Sequence, residues 1–414
     1  MHIPLSLPAG PKVQQFMDQL NGALRVSSSG TSSGHAAFDS EGNFRAHTSG
    51  VFRLPSGETP LEWTVIRDAR GGLVAVEADF VGDLAPTTEW FRDASQIVTD
   101  ALSATLAERQ ARFFRRIPFN YVGPALDGEY WLPGFRFAPI LPEDSGPALI
   151  NAERVVVFDM NVNAVDDTHA MAVGRERALR HAARVSLLAN LALYTTPGET
   201  RWTIRFTDAG VESERLSLGF SKTVPTVTSM PKKGELCNAG EYTAALADRY
   251  RFAGKRISLP IETRRVLRGL ESAAPEVIDA FDRCSRLYQV GMVCGRIYPS
   301  VGLAYRVAAV EAIVRTAGGF DSFADFMRKN VSTSADLEPL IDYLYGRARS
   351  AHFHSGEFPV GEFDRLAFFD PFMDAEEVAR SEINRRGYEV IREAIVNWVH
   401  RLIPSDAAET ANAE

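Results

Sequence analysis

Residues 349 to 356, Arg-Ser-Ala-His-Phe-His-Ser-Gly, bring an arginine, a hydroxyl and two imidazoles together within six positions. The chain has only eight histidines in 414 residues, and two of them, His352 and His354, lie here. Histidine has an ordinary pKa near ~6.5 and can accept or donate a proton at neutral pH. Arg349 offers planar donors that suit a phosphate group as charge develops on it. The stretch therefore has the residue types for proton transfer beside a phosphate.

A helix is expected to position these side chains. Leu340, Tyr343, Leu344 and Ala348 repeat at helical spacing, which predicts a helix over about 336–353. Gly356 stands where a helix can end. A protonated histidine near a helix C-terminus is also stabilised by the helix dipole, so a purely structural role for this cluster is the alternative interpretation.

The C-terminal part of the chain reads as consecutive helices. Strand patterns disappear after about residue 256, and Pro275 and Pro299 stand where helices can begin. The helical segments are predicted at about 262–272, 275–296, 298–317, 321–330, 336–353 and 374–403. We therefore expect a helical domain over 256–404, followed by a flexible tail at 405–414.

The N-terminal part, residues 1–255, reads as mixed α and β, with a possible division into two subdomains near 145. Runs such as LEWTVIRD and LVAVEADF predict strands, and 87–114 and 171–194 predict long helices. The serine- and glycine-rich stretch at 26–34 predicts a flexible loop. The expected fold class is an α+β N-terminal region followed by an all-α helical bundle.

Composition excludes several function classes. The net charge of −8 argues against an open surface that coats DNA, although a local cluster can still hold a phosphate. No apolar run approaches the roughly 20 residues needed to span a bilayer, and the N-terminus does not predict a secretory signal. Three cysteines give no disulfide framework or zinc pattern, which fits a reducing cytoplasm. Glycine-rich phosphate loops, GxSxG and HExxH motifs are absent from the sequence.

The segment LYGRARSAHFHSGE resembles the HEPN superfamily, whose motif is an arginine, four to six residues and then a histidine at a helix end within a helical bundle. It is most similar to the Apea-like HEPN group, in which an Arg-Ser pair, three residues, a histidine and a following glycine recur. The segment YRVAAVEAIVRTAGG looks like the family's upstream helix with an acidic residue, here Glu311. The resemblance covers roughly residues 258–404.

The resemblance implies a metal-independent endoribonuclease without a cofactor, in which a 2′-hydroxyl attacks the neighbouring phosphate. The implied catalytic set is Arg349, His354, Ser350 and Glu311, with Glu311 orienting Arg349. The family completes its site by forming homodimers, so a symmetric homodimer and an RNA substrate are expected. The implied setting is the cytoplasm of a prokaryote, in abortive infection against phage or another toxin role. The N-terminal region would then sense a phage-derived or nucleotide trigger.

The register of the motif is open. Arg347 with His352 fits a spacing of four residues, and Arg347 with His354 fits six. Ser350 and Gly356 favour Arg349 with His354. The sequence departs from the family in two ways: the tyrosine-to-arginine spacing is one residue longer, and Gly356 stands where one subgroup has a modifiable tyrosine. The rival hypothesis is a non-catalytic HEPN module for dimerisation or ligand binding, in which the arginine and histidine are structural.

Two further patterns are ambiguous. Arg177, Arg180, His181 and Arg184 form one basic helix stripe, which could track RNA but more often is a solvent-facing surface. The run from Asp159 through Asn161 and Asn163 alternates with apolar residues, which favours a solvated strand face over a ligand pocket. It lacks the glycine and glutamate of a calcium-binding EF-hand loop.

Overall fold

The structure is a computed structural model. It describes residues 1–27, 33–81, 87–106, 111–140, 153–195, 201–207, 210–216, 224, 226–243, 256–332, 336–363 and 375–403. The predicted division near 145 and the tail at 405–414 lie outside the described residues, as does most of the loop predicted at 26–34.

The chain forms two compact units. The first comprises Met1–Arg115 with Asn161–Arg175, and the second comprises Arg116–Met160 with Glu176–Glu414. The sequence-based boundary at residue 256 lies inside the second unit. At a coarser level, the expected order of a sheet-rich N-terminal region and a later helical region is confirmed.

The first unit is built on an antiparallel five-stranded sheet. Its elements are β1 (His2–Leu7), α1 (Pro11–Ser27), β2 (Ser33–Phe38), β3 (Phe44–Leu54), β4 (Gly57–Arg67), β5 (Leu73–Phe80) and α2 (Thr88–Leu106). The strand order is β1-β5-β4-β3-β2. Leu61, Trp63 and Val65 alternate along β4 and are buried on one face, where Phe16 of α1 and Trp90 of α2 join the same core. The two helices thus cover the apolar face of the sheet.

The second unit contains smaller sheets and one long helix. Its N-terminal elements are β6 (Ala111–Val122), β7 (Ala125–Leu126), β8 (Tyr130–Leu132), β9 (Phe135–Pro139), β10 (Glu153–Ala164), α3 (Asp167–Ala189), β11 (Arg201–Thr207), β12 (Gly210–Leu216) and β13 (Arg256–Ile257). The four-stranded sheet has the order β6-β10-β9-β8, β11 pairs with β12, and β13 pairs with β7 in parallel. The boundary between the two units falls within β6, β10 and α3.

The rest of the second unit is helical. Its elements are α4 (Ile261–Leu270), α5 (Pro275–Cys294), α6 (Pro299–Ala317), α7 (Phe323–Asn330), α8 (Leu337–Asp342), a π-helix (Tyr343–Ala351), α9 (His352–Ser355) and α10 (Ala375–Leu402). Pro275 and Pro299 occupy the first turns of α5 and α6, as predicted. Gly318 and Gly356 follow α6 and α9 with φ of 67° and 68°, a conformation that favours glycine, so both predicted helix ends are confirmed.

Glycines allow α5 and α6 to pack with their backbones in contact. A Cβ atom on Gly302 would lie 2.6 Å from the Cα of Gly295 and 2.8 Å from the carbonyl oxygen of Gly291. Real Cβ atoms do not approach other atoms so closely, so a side chain at Gly302 would push the helices apart. This crossing fixes α6, which carries Glu311.

Long-range contacts join α3 to the helical region. Arg392 of α10 donates to the carbonyl oxygens of Leu187 and Leu188 at the C-terminal end of α3. Gln289 of α5 donates to the carbonyl of Leu193 at 2.6 Å. Arg392 thus satisfies carbonyl groups in the last turn of α3 that have no partner within the helix. None of the described helices is long and apolar enough to cross a membrane.

Candidate functional site

The Arg349 side chain is positioned by a π-helix. Leu344 and Ala348 of this helix are fully buried. Gly387 of α10 packs against Leu344, because a Cβ atom there would lie 2.8 Å from a Leu344 methyl carbon. The buried side anchors the helix, and Arg349, only half-buried, lies near its C-terminal end. Short π-helical segments occur frequently at functional sites.

Arg349 contacts Glu311, the residue named with it from the sequence. The Nε and a terminal nitrogen of Arg349 each lie 3.1 Å from the Oε2 of Glu311. The Arg349 side chain is 21% exposed and that of Glu311 is 15% exposed. The guanidinium carbon also lies 5.8 Å from the ring centroid of Tyr345. The carboxylate contacts Nε and one terminal nitrogen, and the second terminal nitrogen makes no hydrogen bond or ion pair with a residue that the structure describes.

Arg347 and Ser350 have different surroundings. Arg347 is exposed and makes no ion pair with any residue that the structure describes. Ser350 is half-buried, and its hydroxyl makes no hydrogen bond with another described residue. Of the two candidate arginines, Arg349 alone contacts Glu311.

The two histidines also differ. The Nδ1 of His352 lies 2.9 Å from the carbonyl oxygen of Glu357. Because a carbonyl oxygen only accepts, Nδ1 must carry the hydrogen, so a neutral His352 has its acceptor lone pair on Nε2. His354 is exposed and makes no hydrogen bond to another described residue. His352 is thus oriented by the backbone, whereas the His354 ring is free to turn toward a ligand.

The π-helix changes how residues five apart relate to one another. On an α-helix such residues lie about 140° apart around the axis. A π-turn closes between residues i and i+5, so residues with this spacing come closer to one face. Residues 343–351 form the π-helix, which includes Arg347 and Arg349, whereas His352 and His354 lie on α9, so both candidate pairs cross from one helix type into the other. The π-helix also provides room in residues 343–351 for the extra residue between tyrosine and arginine.

The chain after the motif returns to the start of α6. The backbone amide and the hydroxyl of Ser300 both donate to the carboxylate of Glu362, and the hydroxyl lies 2.6 Å from it. The Val360 amide donates to the Ser300 hydroxyl at 3.0 Å. The sequence analysis missed Glu362, although an acidic residue is a common partner of a helix N-terminus. This contact fixes residues 357–363 beside the two histidines.

The basic stripe on α3 is not an open surface. Arg184 is buried and its Nε donates to Asp282 of α5 at 2.6 Å. Arg180 donates to Glu176 at 2.7 Å and lies 3.7 Å from Asp282. The solvent-face prediction is wrong for Arg184, because its charge is neutralised by a residue 98 positions away. Arg184 is therefore unavailable to RNA.

The remaining members of the stripe lie differently. Arg177 is exposed. His181 packs against Phe135 with 4.2 Å between ring centroids. Burial, reinforced by Arg184 and the other stripe arginines, lowers the pKa of His181 to about 3. Of the three arginines that could track RNA, Arg177 is exposed, Arg180 is half-buried and Arg184 is buried.

The solvated strand face predicted at Asp159 is also wrong. Asp159 is completely buried and accepts hydrogen bonds from Arg116 at 2.7 and 2.9 Å and from Arg136 at 2.6 Å. Arg136 also donates to the buried Glu129 at 2.6 Å. Burial alone would raise the pKa of Glu129, but hydrogen bonds from Trp131, the Gly234 amide and Arg136 hold it below its ordinary value. The prediction is wrong for Asp159, which belongs to a buried ionic network, whereas Asn161 is half-buried and Asn163 is exposed.

Neither a scan of protein-family models nor searches of curated proteins and of solved structures found a match to the chain. Among the described residues, no group of three histidine, cysteine or acidic side chains could hold a metal ion. We therefore infer function from the residues and contacts above.

Proposed function

We propose that the chain is a metal-independent endoribonuclease of the HEPN type. The observation that carries this proposal is the contact between Glu311 and Arg349 at the end of a helix that continues into His352 and His354. A positioned guanidinium beside imidazoles supplies the two requirements of the reaction, which are charge stabilisation at a phosphate and proton transfer.

The proposed reaction breaks one phosphorus–oxygen bond and forms another. The RNA 2′-oxygen attacks the adjacent phosphorus, a histidine accepts the 2′-hydroxyl proton, and the 5′-oxygen leaves with a proton from an acid. The products are a 2′,3′-cyclic phosphate and a 5′-hydroxyl. Arg349 binds the non-bridging phosphate oxygens as negative charge develops there, while Glu311 acts as a positioning residue. Ser350 is placed beside the same phosphate.

His354 is proposed as the proton carrier because its ring is exposed and unrestrained by described residues. His352 is the rival, since its hydrogen bond to the Glu357 carbonyl leaves Nε2 as the acceptor. One imidazole cannot accept one proton and donate another in the same step. A homodimer that brings two copies of His354 to one phosphate would supply both groups.

The test is cleavage of RNA by the full chain in the presence of EDTA. We expect a 2′,3′-cyclic phosphate product, and a 2′-deoxy substitution at the cut site should abolish cleavage. Arg349→Ala and His354→Ala should lower the rate at least about 100-fold. Their neighbours Arg347→Ala and His352→Ala are the matched controls and should have smaller effects. A requirement for magnesium would overturn the mechanism, and an active His354→Ala beside an inactive His352→Ala would move the site to Arg347 and His352.

Mixing the Arg349→Ala chain with the His354→Ala chain tests the dimer. Each mixed dimer retains one arginine and one histidine on opposite chains, so partial recovery of cleavage supports a site shared by two copies. A monomer by light scattering that cleaves at the full rate would contradict it.

The proposed biological role is that of a toxin or anti-phage effector with a regulatory N-terminal region. Expression of the wild type should arrest growth of a bacterial host and degrade its RNA, whereas His354→Ala should do neither. If wild type and variant are equally harmless and neither cleaves RNA, the non-catalytic module is the better account.

A further inference from the structure

Aromatic rings form a continuous row that includes His352. The row runs through Tyr298, Phe363, Phe358, His352, Phe353 and Tyr305. Successive ring centroids lie 6.3, 4.6, 4.9, 5.3 and 6.0 Å apart. The row joins residues 298–305 to residues 352–363, and it includes the rival proton carrier His352.

Much of this row faces solvent. Phe363 is 68% exposed, Phe353 is 49% exposed and Tyr298 is 44% exposed. Four of the five contacts are edge-to-face, with interplanar angles between 67° and 87°. Such a contact itself covers neither face of the ring that contributes its edge. Exposed rings of this kind can receive another planar group.

The charges beside the row suit an anionic partner. Arg296 is exposed two residues before Tyr298, and Arg347 is exposed five residues before His352. Neither arginine makes an ion pair with a residue that the structure describes. Of the two carboxylates within residues 352–363, Glu362 accepts hydrogen bonds from Ser300, and Glu357 is exposed. Flat apolar faces flanked by unpaired cations are the composition of a single-stranded nucleic-acid surface.

We infer that the ring row is a stacking surface for unpaired bases of RNA, which holds the strand so that a phosphate reaches Arg349 and His354. This inference rests on the proposed function and adds the substrate class, single-stranded RNA read through its base faces. Stacking tolerates any base, so recognition here would depend on strandedness and little on sequence. A duplex, whose bases are already stacked, would bind weakly.

The experiment measures binding without cleavage. The probes are a fluorescent 2′-O-methyl oligoadenylate of about 12 nucleotides, which cannot undergo 2′-oxygen attack, and an abasic strand of the same length and charge. The variants are Phe353→Leu and Phe363→Leu in the full chain. Leucine keeps an apolar side chain but removes the aromatic face, and because both phenylalanines are exposed, the variants should keep the fold. Phe38→Leu is the matched control, because Phe38 is 73% exposed and lies on β2 in the first unit.

We expect each ring variant to weaken oligoadenylate binding by roughly five- to 150-fold, the range for loss of one base–aromatic stack. Binding of the abasic strand should change by less than about twofold, and Phe38→Leu should match the wild type. Unchanged oligoadenylate binding in both ring variants would overturn the inference, as would an equal loss for the abasic strand. Ring variants that lose dimer mass in light scattering yet keep oligoadenylate affinity would identify the row as a subunit interface and also overturn it.

The experiments distinguish failure of the stacking surface from failure of the proposed nuclease activity. If the stacking surface is wrong and the nuclease is right, the ring variants cleave unmodified RNA at the wild-type rate. If the nuclease is wrong, the wild type leaves unmodified RNA intact, and the binding assay still reads out stacking.

Discussion

Replacing Glu311 with glutamine tests whether the Arg349 contact positions a catalytic group. The substitution preserves the shape of the side chain but removes its charge. In the wild type one carboxylate oxygen lies 3.1 Å from two nitrogens of Arg349. The amide oxygen of glutamine can replace Oε2 and accept from both nitrogens, but without the negative charge these hydrogen bonds are weaker. Arg349 should therefore be held less firmly in its orientation.

The expected losses of stability and of catalytic rate differ in size. A hydrogen bond to a charged group contributes ~1.5–3 kcal/mol to stability when it is shielded from water. Because the Arg349 and Glu311 side chains are partly exposed, we expect Glu311→Gln to lower the free energy of unfolding by only about 1 kcal/mol. Transition-state stabilisation depends on orientation, and a loss of about 1.4–2.7 kcal/mol there lowers kcat roughly ten- to 100-fold. KM should change little, because the arginine charge remains.

The assay is single-turnover cleavage of a labelled RNA, together with thermal unfolding. Glu338→Gln is the matched control, because Glu338 makes a two-bond pair with Arg328 at 2.8 Å outside the motif. It should leave cleavage unchanged. In the Arg349→Ala background, Glu311→Gln should have no further effect on kcat, since the two residues act as one unit. Wild-type kcat in Glu311→Gln, with the expected loss of stability, would refute a positioning role and leave a structural ion pair.

Two further predictions concern the α3 stripe. Asp282→Ala should destabilise the chain by about 3–5 kcal/mol, measured by urea unfolding, because it leaves buried Arg184 without its carboxylate. The control is Asp279→Ala, one turn earlier on α5 and in an exposed pair, which should lower the free energy of unfolding by at most about 1 kcal/mol. Equal losses in the two variants would contradict this account. His181 stays neutral in the fold while the unfolded chain binds a proton below about pH 6.5, so stability should fall as the pH drops from there toward about 3. His181→Phe, which keeps a ring against Phe135, should flatten this dependence in unfolding curves at pH 7.5 and 5, and an unchanged slope would disprove the assignment.

The helices of the second unit were the most predictable part of the fold. The segment predicted at 275–296 corresponds to α5, Pro275–Cys294, and the one at 298–317 corresponds to α6, Pro299–Ala317. Both have a helical period, and proline and glycine mark their ends, so local signals agree with the final structure. Local agreement of this kind is sufficient to locate a helix.

The strands of the N-terminal region, residues 1–255, were less predictable. The helix predicted at 87–114 ends at Leu106, and β6 begins at Ala111. Phe113 and Phe114 fit either a helical face or a strand, because a short apolar run carries no period of its own. Strand pairing with β10 decides the outcome, and that partner is distant in sequence.

The burial of charged residues could not be predicted from the sequence for a related reason. Asp159 and Arg184 occupy positions whose spacing is typical of solvent-facing residues, yet both are buried in ion pairs with distant residues. A charged residue can be buried only where an opposite charge reaches it, and the partner is determined by tertiary structure. Glu311 and Arg349 were paired in advance only through a family resemblance.

The residues that follow the π-helix offer a way to weigh the catalytic and structural interpretations of the motif. A purely structural Arg349–Glu311 pair would be satisfied by any helix that brings the two side chains together. Here the chain continues directly into His352, which the Glu357 carbonyl orients, and into His354, which is exposed. A structural pair requires none of these features. Proton transfer at a phosphate held by Arg349 requires an accessible imidazole on the same side, and for that reason we favour the catalytic interpretation.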